Sequence, residues 1–170
     1  MSFKLSKRLN KIVEMCDTVD TIIDVGTDHG KVAISIANKG LSKKVIAIDN
    51  KEGPLQSCEK NAKLFINNDN VEFKTLLSDG LNNLTVEDKK NELGIIITGI
   101  GYDNMKNILE SINDYNFKYL ILSPHTKIVE LIKYLENINI EIVQQETLYD
   151  DEKYYYILKA KKKMCLINHL

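Results

Sequence analysis

Thr21-Ile-Ile-Asp-Val-Gly-Thr-Asp-His-Gly30, continued by Lys31-Val-Ala-Ile-Ser-Ile-Ala-Asn-Lys-Gly40, is the stretch that decides the fold. Residues 21–25 are rich in Ile and Val, the composition of a strand buried on both faces, and Gly26 ends the run. Over residues 29–39, Val32, Ala33, Ile36 and Ala37 recur at helical spacing, and Gly40 stops the pattern. Asp28 suits the N-cap of that helix and His29 its first turn. Strand, glycine turn and helix make one βα unit, and the rest of the chain repeats it.

Downstream, residues 44–48 read as a second strand ending at Asp49, and Gly53-Pro54 opens a helix to Phe65 with Pro54 in its first turn. Residues 71–76 are a third strand before Ser78-Asp79-Gly80. Residues 93–98 are a fourth, followed by Gly99, Gly101 and a helix carrying Met105, Ile108, Leu109 and Ile112, with Asp103 or Asn104 as its cap. Residues 119–122 are a fifth, broken by Ser123-Pro124 before a helix with Ile128, Leu131, Ile132 and Leu135. The ending differs: residues 140–147 and 154–160 are strand-like and only residues 148–153 join them. So short a link makes an antiparallel hairpin, since a parallel crossover needs about a dozen residues. Upstream, Leu5, Leu9, Ile12, Val13 and Cys16 trace an amphipathic helix with Lys4, Lys7, Arg8 and Lys11 on another arc.

The expected fold is α/β: a doubly wound, mostly parallel, seven-stranded Rossmann-like sheet closed by a C-terminal antiparallel hairpin. One domain is expected over residues 1–160, with a basic tail over 161–170. The closing hairpin resembles class I methyltransferases that use S-adenosylmethionine (SAM); dehydrogenase nucleotide domains usually lack it.

Composition narrows the function. Lys and Arg total 23 against 24 Asp and Glu, so no global field draws the chain to a polyanion, and an RNA contact must be local. Cys16, Cys58 and Cys165 lie too far apart for a zinc ribbon or redox pair, so no metal is expected. No apolar run nears the roughly 20 residues of a membrane span, and no secretory signal is visible. A soluble, cytoplasmic protein is expected.

In doubly wound sheets ligands sit at the carboxyl ends of the strands. The first such loop, residues 24–30, lacks the second glycine of G-x-G-x-x-G and carries Asp28 there. A carboxylate repels a dinucleotide pyrophosphate but tolerates SAM, which has a sulfonium and an ammonium and no phosphate. Asp24, Gly26, Thr27 and His29 are therefore expected around the cofactor. Asp49, with Asn50, stands where a carboxylate accepts ribose hydroxyls, and Asp79-Gly80 where one meets an adenine amino group. Gly99 and Gly101 let a flat base approach the backbone, and Tyr102 is placed to stack on it. His29 and His125 read better as a helix-start and a surface residue than as catalysts. Neither accompanies a Ser or Cys nucleophile motif.

Leu5-Ser-Lys-Arg-Leu9, Asp24-Val-Gly-Thr-Asp-His29, Glu52-Gly-Pro54, Ser78-Asp-Gly-Leu81, Thr98-Gly-Ile-Gly101, Leu120-Ile-Leu-Ser-Pro124 and the Tyr-rich strand 154–158 together resemble the bacterial tRNA adenine-22 N1-methyltransferases. The resemblance implies SAM as cofactor and tRNA as partner, with Asp24, Gly26, Asp28, His29, Asp49, Asp79 and Gly80 around SAM and Gly99 and Gly101 at the target base. Thr27 and Asn50 are expected beside the cofactor and Tyr102 beside the base. Asp28 is the candidate to stabilise the positive charge that N1 methylation creates, and Lys4, Lys7, Arg8 and Lys11 are left to meet RNA phosphates. The sequence departs from the family at Tyr102, where members usually carry glycine, and it lacks their usual helical C-terminal domain. Two alternatives stay open: a SAM methyltransferase acting on another RNA or a small molecule, and a catalytically silent SAM- or RNA-binding module.

Overall fold

The computed structural model describes residues 4–164. The first half runs α1 (Lys7–Glu14), β1 (Val19–Val25), α2 (Lys31–Lys39), β2 (Ser42–Asp49), α3 (Glu52–Phe65), β3 (Glu72–Leu77) and α4 (Val86–Lys90). The second half runs β4 (Leu93–Thr98), α5 (Tyr102–Leu109), a 3₁₀ turn (Ile112–Asp114), β5 (Phe117–Ser123), α6 (Ile128–Asn137), β6 (Ile140–Asp150) and β7 (Lys153–Lys162). The strands form one sheet in the order β3-β2-β1-β4-β5-β7-β6. β1 to β5 are parallel, and β7 lies antiparallel to both β5 and β6. The winding reverses between β1 and β4, which leaves a crevice outside their carboxyl ends.

Alternation within each strand sorts the core into two layers. Ile23, Ile46, Ile95, Leu120 and Leu158 face α5 and α6, while Ile22, Val45, Ile96, Ile121 and Ile157 face α1 and α2. Gly94 permits one close approach: the Tyr119 ring lies where a Cβ would stand. That ring is buried, and its hydroxyl donates to the Asp17 carbonyl at 3.0 Å. Under β2 and β3, Asp88 is 1% exposed, with Lys44 Nζ and Lys74 Nζ each 2.8 Å from one of its carboxylate oxygens. Burial alone would raise its pKa, but the two ammonium groups and the Thr85 hydroxyl outweigh it and hold the carboxyl well below the usual range. Among the described residues no helix is long and apolar enough to cross a membrane.

Several local expectations need correction. Helix α2 starts at Lys31, not His29, and its N-cap is Gly30 rather than Asp28. The loop turns through two left-handed residues, Asp28 (φ 51°) and Gly30 (φ 75°), and so delays the helix. Gly101, not Asp103 or Asn104, occupies the N-cap of α5, and Ile112 lies in the separate 3₁₀ turn. Helix α4 was not expected; Thr85 caps it by accepting from the Asp88 amide. The hairpin loop is Asp151-Glu152 alone, both with positive φ, because Leu148, Tyr149 and Asp150 pair across to Tyr155, Tyr154 and Lys153. Lys161 and Lys162 are strand residues rather than tail: Lys161 pairs with Glu141 and Lys162 Nζ donates to the Asn113 and Tyr115 carbonyls. The Lys163 amide donates to the Asn139 carbonyl, and residues 165–170 of the expected tail, Cys165 among them, lie outside the described residues.

The hairpin outruns the sheet. Only Leu158, Lys159 and Ala160 of β7 pair with β5, and Leu158 stands opposite Leu122. Because β7 is antiparallel to β5, residues 153–156 and their β6 partners continue beyond Ser123. They rise above the same edge of the sheet at which the switch-point crevice opens. Helix α1 clasps one face of this extension: the Arg8 amide donates to Asp150 Oδ2 at 2.9 Å, and the Arg8 guanidinium lies 4.7 Å from the centre of the Tyr155 ring.

Candidate active site

Two cavities open along the carboxyl edge, and they share Gly26, Asp49 and Ile100. The first, of about 500 Å³, runs beyond β2 and β3 past Asn50, Ser78, Asp79 and Gly80 to Asn104, Asn107 and Ser111. The second, of about 480 Å³, lies over β1, β4 and β5 and is bounded by Arg8, Asp24, Asp28, Thr98, Gly99 and His125. Together they make one cleft that bends at Gly26.

Strand ends and tight turns shape that bend. Gly26 has φ +76°, a conformation a side chain strains to adopt, and its amide and that of Thr27 both donate to the Ile48 carbonyl. This ties the first loop to the end of β2 and sets Asp49 beside it. The Asp49 carbonyl in turn accepts from the Ser78 amide, while its side-chain Oδ1 accepts from the Lys51 amide at 3.1 Å. At the far wall, a Cβ on Gly80 would stand 2.9 Å from Ile108 Cγ1, so glycine there leaves α5 its seat against the loop.

Asp24 is the buried carboxylate of the cleft, 3% exposed, with Oδ2 accepting from Thr27 Oγ1 at 2.8 Å. Burial pushes its pKa up to about 6, against the pull of the Thr27 hydroxyl and the Ala33 amide, and the Asp49 charge adds to the rise. Across the cavity, Arg8 Nη1 is buried with no hydrogen-bond partner. As a wall residue Arg8 brings a guanidinium charge to the cavity, which favours an anionic group there. His125, held by its amide to the Ile100 carbonyl, has its pKa lowered by burial and by the charges of Arg8 and Lys153. Asp28 and His29 are exposed at the mouth, with Asp28 Oδ1 3.6 Å from His29 Nε2.

The cleft therefore brings together Asp24, Gly26, Thr27, Asp28, His29, Asp49, Asn50, Asp79, Gly80 and Gly99. Gly101 and Tyr102 border neither cavity: Tyr102 begins α5, packs on the core and lies under Lys127 Nζ, 5.6 Å from the ring centre. The N-terminal basic arc does not act as a unit. Lys4 and Lys7 are exposed, Lys11 pairs with Glu14 at 3.0 Å, and Arg8 turns into the cleft. Arg8, Thr98 and His125 as wall residues escaped the sequence reading. So did Asn104, Asn107 and Ser111, although their i, i+3, i+7 polar spacing on an otherwise apolar segment is a signal that could have found them. Among the described residues no group of three or more His, Cys, Asp or Glu is arranged to hold a metal.

Residues 5–158 match the family model described as a methyltransferase domain. A tRNA (adenine(22)-N(1))-methyltransferase of Bacillus subtilis strain 168 is 27% identical over 161 residues, which cover 93% of this chain and 65% of the Bacillus protein. The structure of M. capricolum TrmK in complex with the natural cofactor product S-adenosyl-homocysteine superposes with a TM-score of 0.81 at 26% identity. That match covers 98% of this chain and 74% of the other. A protein of the NADB-Rossmann superfamily from Streptococcus agalactiae superposes with a TM-score of 0.85 at 31% identity, over 98% of this chain and 72% of its own.

Proposed function

The chain belongs to the methyltransferase-domain family, and from that premise we propose that it transfers a methyl group from SAM to N1 of an adenine in tRNA. The observation that carries this reading is the chemistry of the cleft wall: Asp24, Asp49 and Asp79 line it, and Arg8 adds a cation to it. A phosphate-bearing cofactor would be repelled by three carboxylates; SAM, with two cationic centres and one carboxylate, complements both signs. The two similar enzymes named for tRNA methylation, or solved with the SAM product, support the choice of substrate and cofactor.

When bound, SAM supplies a methyl group made electrophilic by its sulfonium. Asp49 accepts hydrogen bonds from the ribose hydroxyls, and Asn50, Asp79 and Gly80 hold the adenine end. The buried Asp24 carboxylate, oriented by Thr27, would hold the ammonium group, and the Arg8 guanidinium would balance the amino-acid carboxylate. The target adenine enters at the mouth between Asp28 and Gly99. Its N1 carries an in-plane lone pair and gains positive charge as the methyl group arrives, and Asp28 stabilises that charge as it develops. Gly101 and Tyr102 set the start of α5, which supports the Gly99 side of the mouth. Lys4 and Lys7, exposed beside the cleft, meet RNA phosphates. The enzyme's own contribution is positioning and exclusion of water, since donor and acceptor need no general base to react. On this reading the reaction runs in the cytoplasm of a bacterium, as the source of the Bacillus relative supports.

The test is nucleoside analysis by mass spectrometry after tRNA is incubated with the protein and SAM. Formation of 1-methyladenosine is expected. Its absence under conditions where calorimetry registers SAM binding would reject the substrate. Asp28→Ala should lower kcat by about tenfold to a hundredfold with SAM affinity retained, and unchanged turnover would remove Asp28 from the reaction.

A further inference from the structure

We propose that the overhanging β6–β7 hairpin is a stacking platform for unpaired bases of the RNA substrate; this rests on the tRNA reading above. The inner face of the extension, with Leu148, Tyr155 and Ile157, packs under α1 and against the core. The outer face presents Gln145, Thr147 and Tyr149 on β6 beside Tyr154 and Tyr156 on β7. Lower on the same face Leu158 is buried in the core, but past the sheet edge Tyr149, Tyr154 and Tyr156 are 54%, 67% and 37% exposed. Tyr149 and Tyr154 stand directly opposite each other, with ring centres 5.1 Å apart.

A solvent-facing strand surface is ordinarily polar, so three neighbouring aromatic rings there call for a ligand. Their position selects it. The hairpin extends past the same carboxyl edge at which the candidate cleft opens, and Arg8, a residue of the cleft wall, joins it through the bond of its amide to Asp150. Lys153, which follows the loop directly, sets a positive charge at the tip beside the acidic Asp151 and Glu152, its Nζ 5.4 Å from the centre of the Tyr155 ring. Phenol rings stack on any base that is not already stacked in a duplex, which suits a looped-out single strand presenting its target to the cleft. A helical stem offers no free base faces to these rings.

Replacing Tyr149, Tyr154 and Tyr156 together with Ser tests the platform, with the matching triple Phe variant as control. SAM binding by calorimetry and thermal unfolding report whether fold and cofactor site survive; fluorescence anisotropy and steady-state kinetics report on tRNA. The Ser variant should raise Kd and KM for tRNA by about tenfold or more, with kcat and SAM affinity unchanged, and the Phe variant should restore tRNA binding. A wild type that methylates tRNA beside a Ser variant with the same KM would overturn the platform and leave the reaction intact. A wild type that binds SAM but neither binds nor methylates tRNA would overturn the substrate reading and the platform with it. If sedimentation shows a wild-type dimer that the Ser variant dissociates without change in KM, the face belongs to a second copy of the chain and the proposal fails.

Discussion

Asp24 and Asp49 sit at the ends of neighbouring strands, yet their surroundings assign them different work. Asp49 is half-buried, with Oδ1 already accepting one amide, and stays available for hydroxyl donors. Charge-assisted hydrogen bonds are worth about 1.5–3 kcal/mol each, so Asp49→Ala should weaken SAM binding by about tenfold to a hundredfold in calorimetry. Unchanged affinity would remove Asp49 from the cofactor site. Asp24, with its pKa near 6, gives a pH signature. In the free protein its folded pKa exceeds that of the unfolded chain, so its contribution to stability is full below about pH 4 and is lost as pH rises to about 6. A cationic ligand favours the ionised form, so SAM affinity should climb as pH rises to about 6 and level off above it. Asp24→Asn should flatten that rise; a profile that keeps it would assign the titration elsewhere. These carboxylates were legible from sequence because each stands at the carboxyl end of an apolar strand run. Arg8 and His125 were not, since they lie 16 positions before Asp24 and 27 after Thr98 and reach the cleft only through packing of α1 and the β5–α6 loop.

The hairpin shows where local signals fail. Two-residue loops with positive φ at both positions favour Asn-Gly or Asp-Gly, and Asp151-Glu152 carries no glycine, so the sequence suggested a longer link. Glu152, at φ 62°, holds a conformation that costs a non-glycine residue roughly 1 kcal/mol. Glu152→Gly should therefore raise stability slightly, by up to about 1 kcal/mol, as read by denaturant unfolding; destabilisation would mean the turn is held by contacts of the Glu152 side chain. Helix α4 was hidden for a related reason: five residues are too few for a periodic pattern, and its anchor is the buried pairing of Asp88 with Lys44 and Lys74. Asp88→Asn leaves two ammonium groups without their counter-charge and should cost about 3–5 kcal/mol of stability. Because the Asp88 pKa is depressed, its contribution is present above about pH 4 and fades as pH falls below that. A variant with wild-type stability at neutral pH would reduce the cluster to a surface ion pair.

The strand order was readable as a whole because parallel strands buried on both faces leave continuous Ile- and Val-rich runs, each followed by its own glycine or Asp loop. What periodicity could not give was reach: how far β6 and β7 extend past the sheet, and therefore that an aromatic surface projects beyond its carboxyl edge. The fold gathers a crevice lined by Asp24, Asp49 and Asp79, an arginine in its wall and a projecting hairpin on one edge. On the proposed reading that edge is where SAM and a tRNA loop meet. Transfer of an isotope-labelled methyl group from SAM, to one tRNA with adenine and another with guanine at the position methylated by the Bacillus relative, tests this most directly. The account predicts label on the adenine-bearing tRNA alone, recovered as 1-methyladenosine. Label on neither tRNA while SAM binds, or equal label on both, would contradict it.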